Sequence, residues 1–150
     1  MQKNRYSNVF AYPVLLLECK GMEVDVGFHR PKAYIAAQGP MSSTFDDFWQ
    51  MIWDENCSII VMISNFVERG KRKCDQYWPS EGQQSYGTIS VRMLSETFLA
   101  CYVIRVFDVK NQKCKKVPLI ELLLMPLLNT PTLRSPVSGL RAFQQKLDIR

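Results

Sequence analysis

Five cysteines, Cys19, Cys57, Cys74, Cys101 and Cys114, and one histidine, His29, are the side chains of this 150-residue chain best suited to nucleophilic or acid–base chemistry near neutral pH. A thiol becomes reactive when positive charge stabilises its thiolate and solvent can reach it. Cys74 follows Arg72 and Lys73, so exposure would make it a redox or nucleophilic thiol and burial an inert one. His29 stands next to Arg30 and far along the chain from the nearest cysteine. The cysteines are odd in number and scattered, with no C-x-x-C pair, which argues against a disulfide framework and fits a reducing compartment. The run of Arg69, Lys71, Arg72 and Lys73 favours an anionic partner, a solvated basic loop being its plainer reading. Residues 82–88 (GQQSYGT) have the glycines of a phosphate-binding loop but not its lysine, and are read as a turn.

These residues must be held by secondary structure, and the pattern around them indicates a mixed fold. Phe45, Phe48, Trp49, Ile52 and Trp53 recur at helical spacing behind Ser43 and Thr44, either of which can cap, with Asp46 and Asp47 in the favourable first turn. Trp49 and Trp53 fall on the apolar stripe and are expected in the core. Residues 58–64 (SIIVMIS) form a short apolar run expected to be a strand buried on both faces. Alternation through Ile89, Val91 and Met93, and again from residue 101 to 109, predicts two antiparallel strands joined near residues 95–98. In the leucine-rich stretch after residue 117, Pro118, Pro126, Pro131 and Pro136 leave room only for short helices, at 119–125 and 140–147. Asn56-Cys57-Ser58 matches a glycosylation acceptor pattern by chance, at a junction of helix and buried strand.

Composition sets the class. Hydrophobic residues at 47% and charged residues at 22% are those of a globular domain, and the length permits one core. A net charge of +5 comes with no helix-turn-helix, zinc-ligand pattern or aromatic-basic platform, so nucleic-acid binding is not expected. No apolar run reaches the ~18 residues of a membrane span, and no signal-peptide pattern opens the chain.

Four segments in order carry a resemblance: YIAAQGP at residues 34–40, DFWQMIWDEN at 47–56, the apolar strand, and VERGKRKCDQYWP at 67–79. Together they resemble the protein-tyrosine phosphatase catalytic domain, in its N-terminal half, and look most like the receptor-type gamma/zeta group, whose versions GFHRPKAY and KCDQYWP approach. The resemblance implies an α/β (α+β) fold, a central mixed sheet with a flanking helix. It places a partial, incomplete phosphatase domain at residues 1–116, divergent at 13–26, and a leucine- and proline-rich tail outside the family pattern at 117–150.

The family hydrolyses phosphotyrosine in proteins through a low-pKa cysteine thiolate in an H-C-x-x-x-x-x-R loop, with a W-P-D aspartic acid protonating the leaving group. The residue six positions after each cysteine here is Asp25, Ile63, Ser80, Phe107 or Ile120, so no cysteine has its arginine. The one Trp-Pro, Trp78-Pro79, continues to Ser80. No catalytic residue, metal ligand or cofactor is therefore assigned.

The resemblance assigns supporting roles instead. Tyr6 of KNRY corresponds to the tyrosine that stacks on the substrate ring, Asn8 to a substrate-backbone contact, Glu68 to the partner of the catalytic-loop arginine, and Lys73 to the lysine that steadies the acid loop and substrate. Cys74 corresponds to a packed position, so its thiol is expected to be inert. The chain is expected to be a fragment or splice variant of a receptor-type signalling phosphatase, inactive alone, with its domain cytoplasmic in a membrane-anchored parent. The alternative is a non-catalytic interaction or decoy module whose partner is a phosphoprotein or a related phosphatase. Strands from the unrepresented half complete the family's sheet, so the strand at 58–64 is expected to lose neighbours and expose a pairing edge.

Overall fold

The structure is a computed structural model that describes residue 5 and residues 22–23, 35–99, 102–114 and 119–124. Tyr6, Asn8, most of the divergent 13–26 stretch and the expected helix at 140–147 lie outside the described residues. Two short strands, β1 (Met22–Glu23) and β2 (Ile35–Ala36), pair antiparallel.

The helix α1 spans Phe45–Asp54, as its spacing requires, and is entered through a 3-10 turn at Ser42–Thr44. Thr44 is the N-cap in position but makes no side-chain cap bond to α1. Its hydroxyl accepts from the Met41 N–H at 3.1 Å and donates to the Met41 carbonyl at 3.2 Å, which closes the 3-10 turn instead. At the far end the Cys57 N–H reaches the Ile52 carbonyl at 3.0 Å and the Asn56 N–H the Trp53 carbonyl at 3.2 Å. Asn56 sits at φ 50°, the left-handed stop that asparagine tolerates. This motif turns the chain straight into β3 (Ile59–Met62).

After β3 come a small hairpin, β4 (Val67–Glu68) with β5 (Lys71–Arg72), and then β6 (Gln83–Tyr86), β7 (Ile89–Phe98), β8 (Val103–Asn111) and β9 (Leu119–Leu124). The main sheet runs β3-β9-β8-β7-β6; β3 and β9 are parallel and the other neighbours antiparallel. It is mixed, with one helix packed against it, as the resemblance implies.

One core joins helix and sheet. Trp49, Met51 and Ile52 of α1 pack with Ile60 and Met62 of β3, Val91 of β7, Phe107 and Val109 of β8, and Ile120 and Leu122 of β9. Trp53 is only partly buried at its margin. Trp49 has no exposed surface, stacks on Tyr86 at 5.9 Å, meets Phe107 edge-on at 6.1 Å, and donates its indole N–H to the Tyr77 carbonyl at 2.6 Å. Filling each such position is worth about 1.5–3 kcal/mol per large side chain.

Four expectations are corrected. Residues 119–124 are a strand, where the leucine content suggested a helix at 119–125. Only seven residues separate Pro118 from Pro126, less than two helical turns, whereas an extended segment there bonds to β3 on one side and β8 on the other. A continuous apolar run is equally the signature of a strand between two neighbours. Residues 83–86, read as part of a turn, are the edge strand β6; it shows Gln83, Gln84 and Ser85 to solvent and buries only Tyr86, so it lacks alternation. The β7–β8 joint falls after Phe98 instead of at 95–98, because a bulge between Met93 and Ser95 breaks the side-chain alternation while pairing continues. Strand β3 is buried only at alternate residues, Ile60 and Met62, with Ile59 and Val61 half-buried.

Candidate functional site

Three of the segments read from the sequence meet at one point, and the residue that joins them is Arg5. Its guanidinium donates to the Gly39 carbonyl at 3.2 and 3.3 Å, to the Pro40 carbonyl at 2.7 Å and to the Asp75 carboxylate at 3.0 Å, while its backbone N–H donates to the Gln38 side chain at 2.9 Å. The KNRY, QGP and KCDQYWP segments are thus cross-linked by one planar five-donor fork. Arg72 adds a second cation to Asp75. Sequence reasoning singles out Tyr6 in this motif and overlooks Arg5; the available signal is an arginine next to that tyrosine, with Asp75 as an acid in the KCDQYWP segment.

Gly39 lies against the KCDQYWP segment so closely that a Cβ there would stand 2.6 Å from the Lys73 carbonyl oxygen, 2.8 Å from the Cys74 Cβ and 2.9 Å from its sulfur. The Asp75 N–H completes the junction on the Pro40 carbonyl at 3.3 Å. Cys74 is consequently sealed. Burial pushes its thiol up to about 11, and the nearby Arg5 charge offsets only part of that effect. The Cys57 thiol is also raised, by burial and then by the Glu55 charge.

The hairpin that carries Glu68 and Lys73 is set by its turn. Arg69 at φ 49° and Gly70 at φ 73° form a two-residue loop with both central residues left-handed, matching strand twist. The Lys73 N–H closes the hairpin base on the Phe66 carbonyl at 2.8 Å, and Phe66 stacks on Trp78 at 5.7 Å. Glu68, half-buried, accepts from the Asn65 N–H at 3.0 Å. Glu68 and Lys73 therefore belong to one rigid turn beside the Arg5 junction, while Tyr6 and Asn8 lie outside the described residues.

The described residues thus present a mixed sheet flanked by a helix that leads into an apolar strand, a hairpin followed by Lys73, and a Cys-Asp-Gln-Tyr-Trp-Pro segment pinned by Arg5. The chain belongs to the protein-tyrosine phosphatase family, whose model matches residues 1–127 and so takes in β9. It is 49% identical over 127 residues to receptor-type tyrosine-protein phosphatase zeta of Homo sapiens, covering 76% of the chain and 6% of that protein. It is 45% identical over 126 residues to the putative receptor-type tyrosine-protein phosphatase mosPTP-1 of Culex quinquefasciatus, covering 76% of the chain and 8% of that protein. To tyrosine-protein phosphatase 99A of Drosophila melanogaster the identity is 42% over 127 residues, covering 77% of the chain and 10% of that protein. The chain thus spans a tenth or less of the length of these relatives.

Proposed function

We propose that this chain supplies the scaffold and substrate side of a phosphotyrosine-protein phosphatase domain and hydrolyses no phosphotyrosine by itself. The observation that carries the reading is Cys74. It is the cysteine preceded by two cations, yet its sulfur is packed under Gly39 with a pKa near 11, and Ser80 stands where the phosphate-gripping arginine is required. A neutral, enclosed thiol forms no phosphoryl intermediate. Tyr6, Asn8 and Lys73 constitute the substrate side and Glu68 the support for a catalytic-loop arginine; the substrates are phosphotyrosine proteins, on the reducing, cytoplasmic face of the membrane. Among the described residues no helix is long and apolar enough to cross a membrane.

The test is turnover of a small aryl phosphate and of a phosphotyrosine peptide by the purified chain, with Cys74→Ser beside it. No turnover is expected from either. Vanadate-sensitive turnover lost in the Cys74→Ser variant would overturn the reading and make Cys74 the nucleophile.

A second reading, a non-catalytic module that binds a phosphoprotein or a related phosphatase, is supported by the large apolar side chains exposed between β3 and β4, Ile63 and Phe66, and at the start of β4, Val67.

A further inference from the structure

Across the β4–β5 hairpin the register sets Val67 opposite Arg72 and Glu68 opposite Lys71, with Arg69 and Gly70 in the turn between them. Directly opposed residues share one face of a two-stranded ribbon, so an aliphatic side chain and a guanidinium stand side by side. Both are open to solvent: Val67 is 58% exposed and the Arg72 side chain 71%. Arg69 and Lys71 are exposed too, and Phe66, the residue before β4, is 39% exposed. The acid of the hairpin turns the other way, since the half-buried Glu68 accepts from the Asn65 N–H at 3.0 Å. Asp75, the partner of Arg72, has a largely covered side chain and is shared with Arg5.

The hairpin projects and is already rigid. Among the described residues, a Cβ added at Gly70 would meet no atom within 4 Å. Its base is closed by the Lys73 N–H on the Phe66 carbonyl and by the stacking of Phe66 on Trp78, so contact at the tip has little loose chain to order. Cations set beside exposed apolar side chains suit a surface that offers both negative headgroups and hydrocarbon. An acidic peptide would meet the cations, but a projecting tip provides no groove in which it could enclose Val67 and Phe66. A second copy would bring like charge against like, each chain carrying +5. A lipid surface needs no groove, because lipids rearrange around what enters them.

We propose that the β4–β5 hairpin is a contact site for an anionic lipid surface, with Arg69, Lys71 and Arg72 against acidic headgroups and Val67 and the exposed part of Phe66 between them. Each cation held near such a surface raises partitioning about fivefold, so three give on the order of a hundredfold. A gain of that size makes the contact reversible and salt-sensitive. The proposal goes beyond the phosphatase reading, and it gives to lipid two apolar side chains that the interaction reading gives to a protein.

The experiment is co-sedimentation of the full chain with phosphatidylcholine vesicles that contain or lack phosphatidylserine, at low and high salt. Binding is expected to be at least about tenfold tighter with phosphatidylserine and to weaken about tenfold or more at high salt. The double variant Arg69→Asn, Lys71→Gln should bind about tenfold or more weakly. It should unfold at the midpoint of the parent chain, since both side chains are exposed and asparagine tolerates the left-handed turn position. The charge-preserving variant Arg69→Lys, Lys71→Arg should bind as the parent does. Val67→Thr, which keeps a branched strand residue, should weaken binding about threefold to fivefold and leave the salt dependence as it was. Equal binding to both kinds of vesicle, binding to neither, or binding unchanged in the double variant or in Val67→Thr would overturn the proposal. So would tighter binding to a soluble aspartate-rich peptide than to phosphatidylserine vesicles, a result that would leave the interaction reading standing. Turnover of aryl phosphate, measured separately, bears on the phosphatase reading alone, so the two can fail independently.

Discussion

Gly39 is the position at which one methyl group tests whether the three motifs are locked together. In Gly39→Ala the new Cβ would meet the Lys73 carbonyl oxygen, a backbone atom that cannot rotate away. The variant should lose about 1–3 kcal/mol in urea unfolding, and adding Cys74→Ala, which removes the sulfur but not that oxygen, should restore only part. Cys74 itself gives a pH signature. Its folded pKa is raised from 9.0 to about 11, so its contribution is fully present below pH 9 and is lost as pH rises towards about 11, because only the unfolded thiol ionises freely in that window. Stability measured from pH 8 to 11 should therefore fall less steeply in Cys74→Ala than in the parent chain, and parallel slopes would contradict the burial. Trp49→Phe keeps a ring in the core but leaves the buried Tyr77 carbonyl without its donor. The expected loss is about 1–3 kcal/mol for that group, beyond the smaller ring's packing deficit.

At the scale of elements the decisive piece is β9. Its backbone is engaged on both sides, and Ile120 and Leu122 have no exposed surface. A helix at 119–125 would break both pairings and separate β3 from β8. Leu122→Ala should accordingly cost about 2–5 kcal/mol, as for a large-to-small change in a packed core. Hydrogen exchange should show the amides of residues 119–124 protected to nearly the extent of those in β8. Exchange there as fast as in exposed turns would mean that the strand is not held. By contrast the β7–β8 extension beyond the bulge relies on cross-strand charge, Glu96 with Arg105, and ends in the exposed Phe98. It should open at lower free energy than the part containing Val91, Phe107 and Val109.

Across the whole molecule one core connects α1, the sheet and the Tyr77-Trp78 segment, so tryptophan fluorescence and far-ultraviolet circular dichroism should report one coincident unfolding transition. Two separated transitions would show that the Arg5 junction and the sheet fold independently. By itself the sequence determined the helix at 45–54, whose tryptophans recur at helical spacing, and the apolar strand behind it. It also determined the family, because the motifs are local strings whose residue types survive without their partners, and the lack of a Cys-x5-Arg loop, which is arithmetic on positions. The tertiary structure alone decided what was long-range. Leucine stretches are ambiguous between helix and strand until neighbours exist to pair with, so β9 became a strand only because β3 and β8 flank it. Edge strands such as β6 and bulged ones such as β7 lose the alternation that reveals them, since solvent or an extra residue takes the place of a buried face. Arg5 was invisible as an anchor because its acceptors, Gly39, Pro40 and Asp75, lie 34 to 70 residues away. The charge of a guanidinium is written in the sequence, but what it holds together is set by which distant carbonyls the fold brings to it.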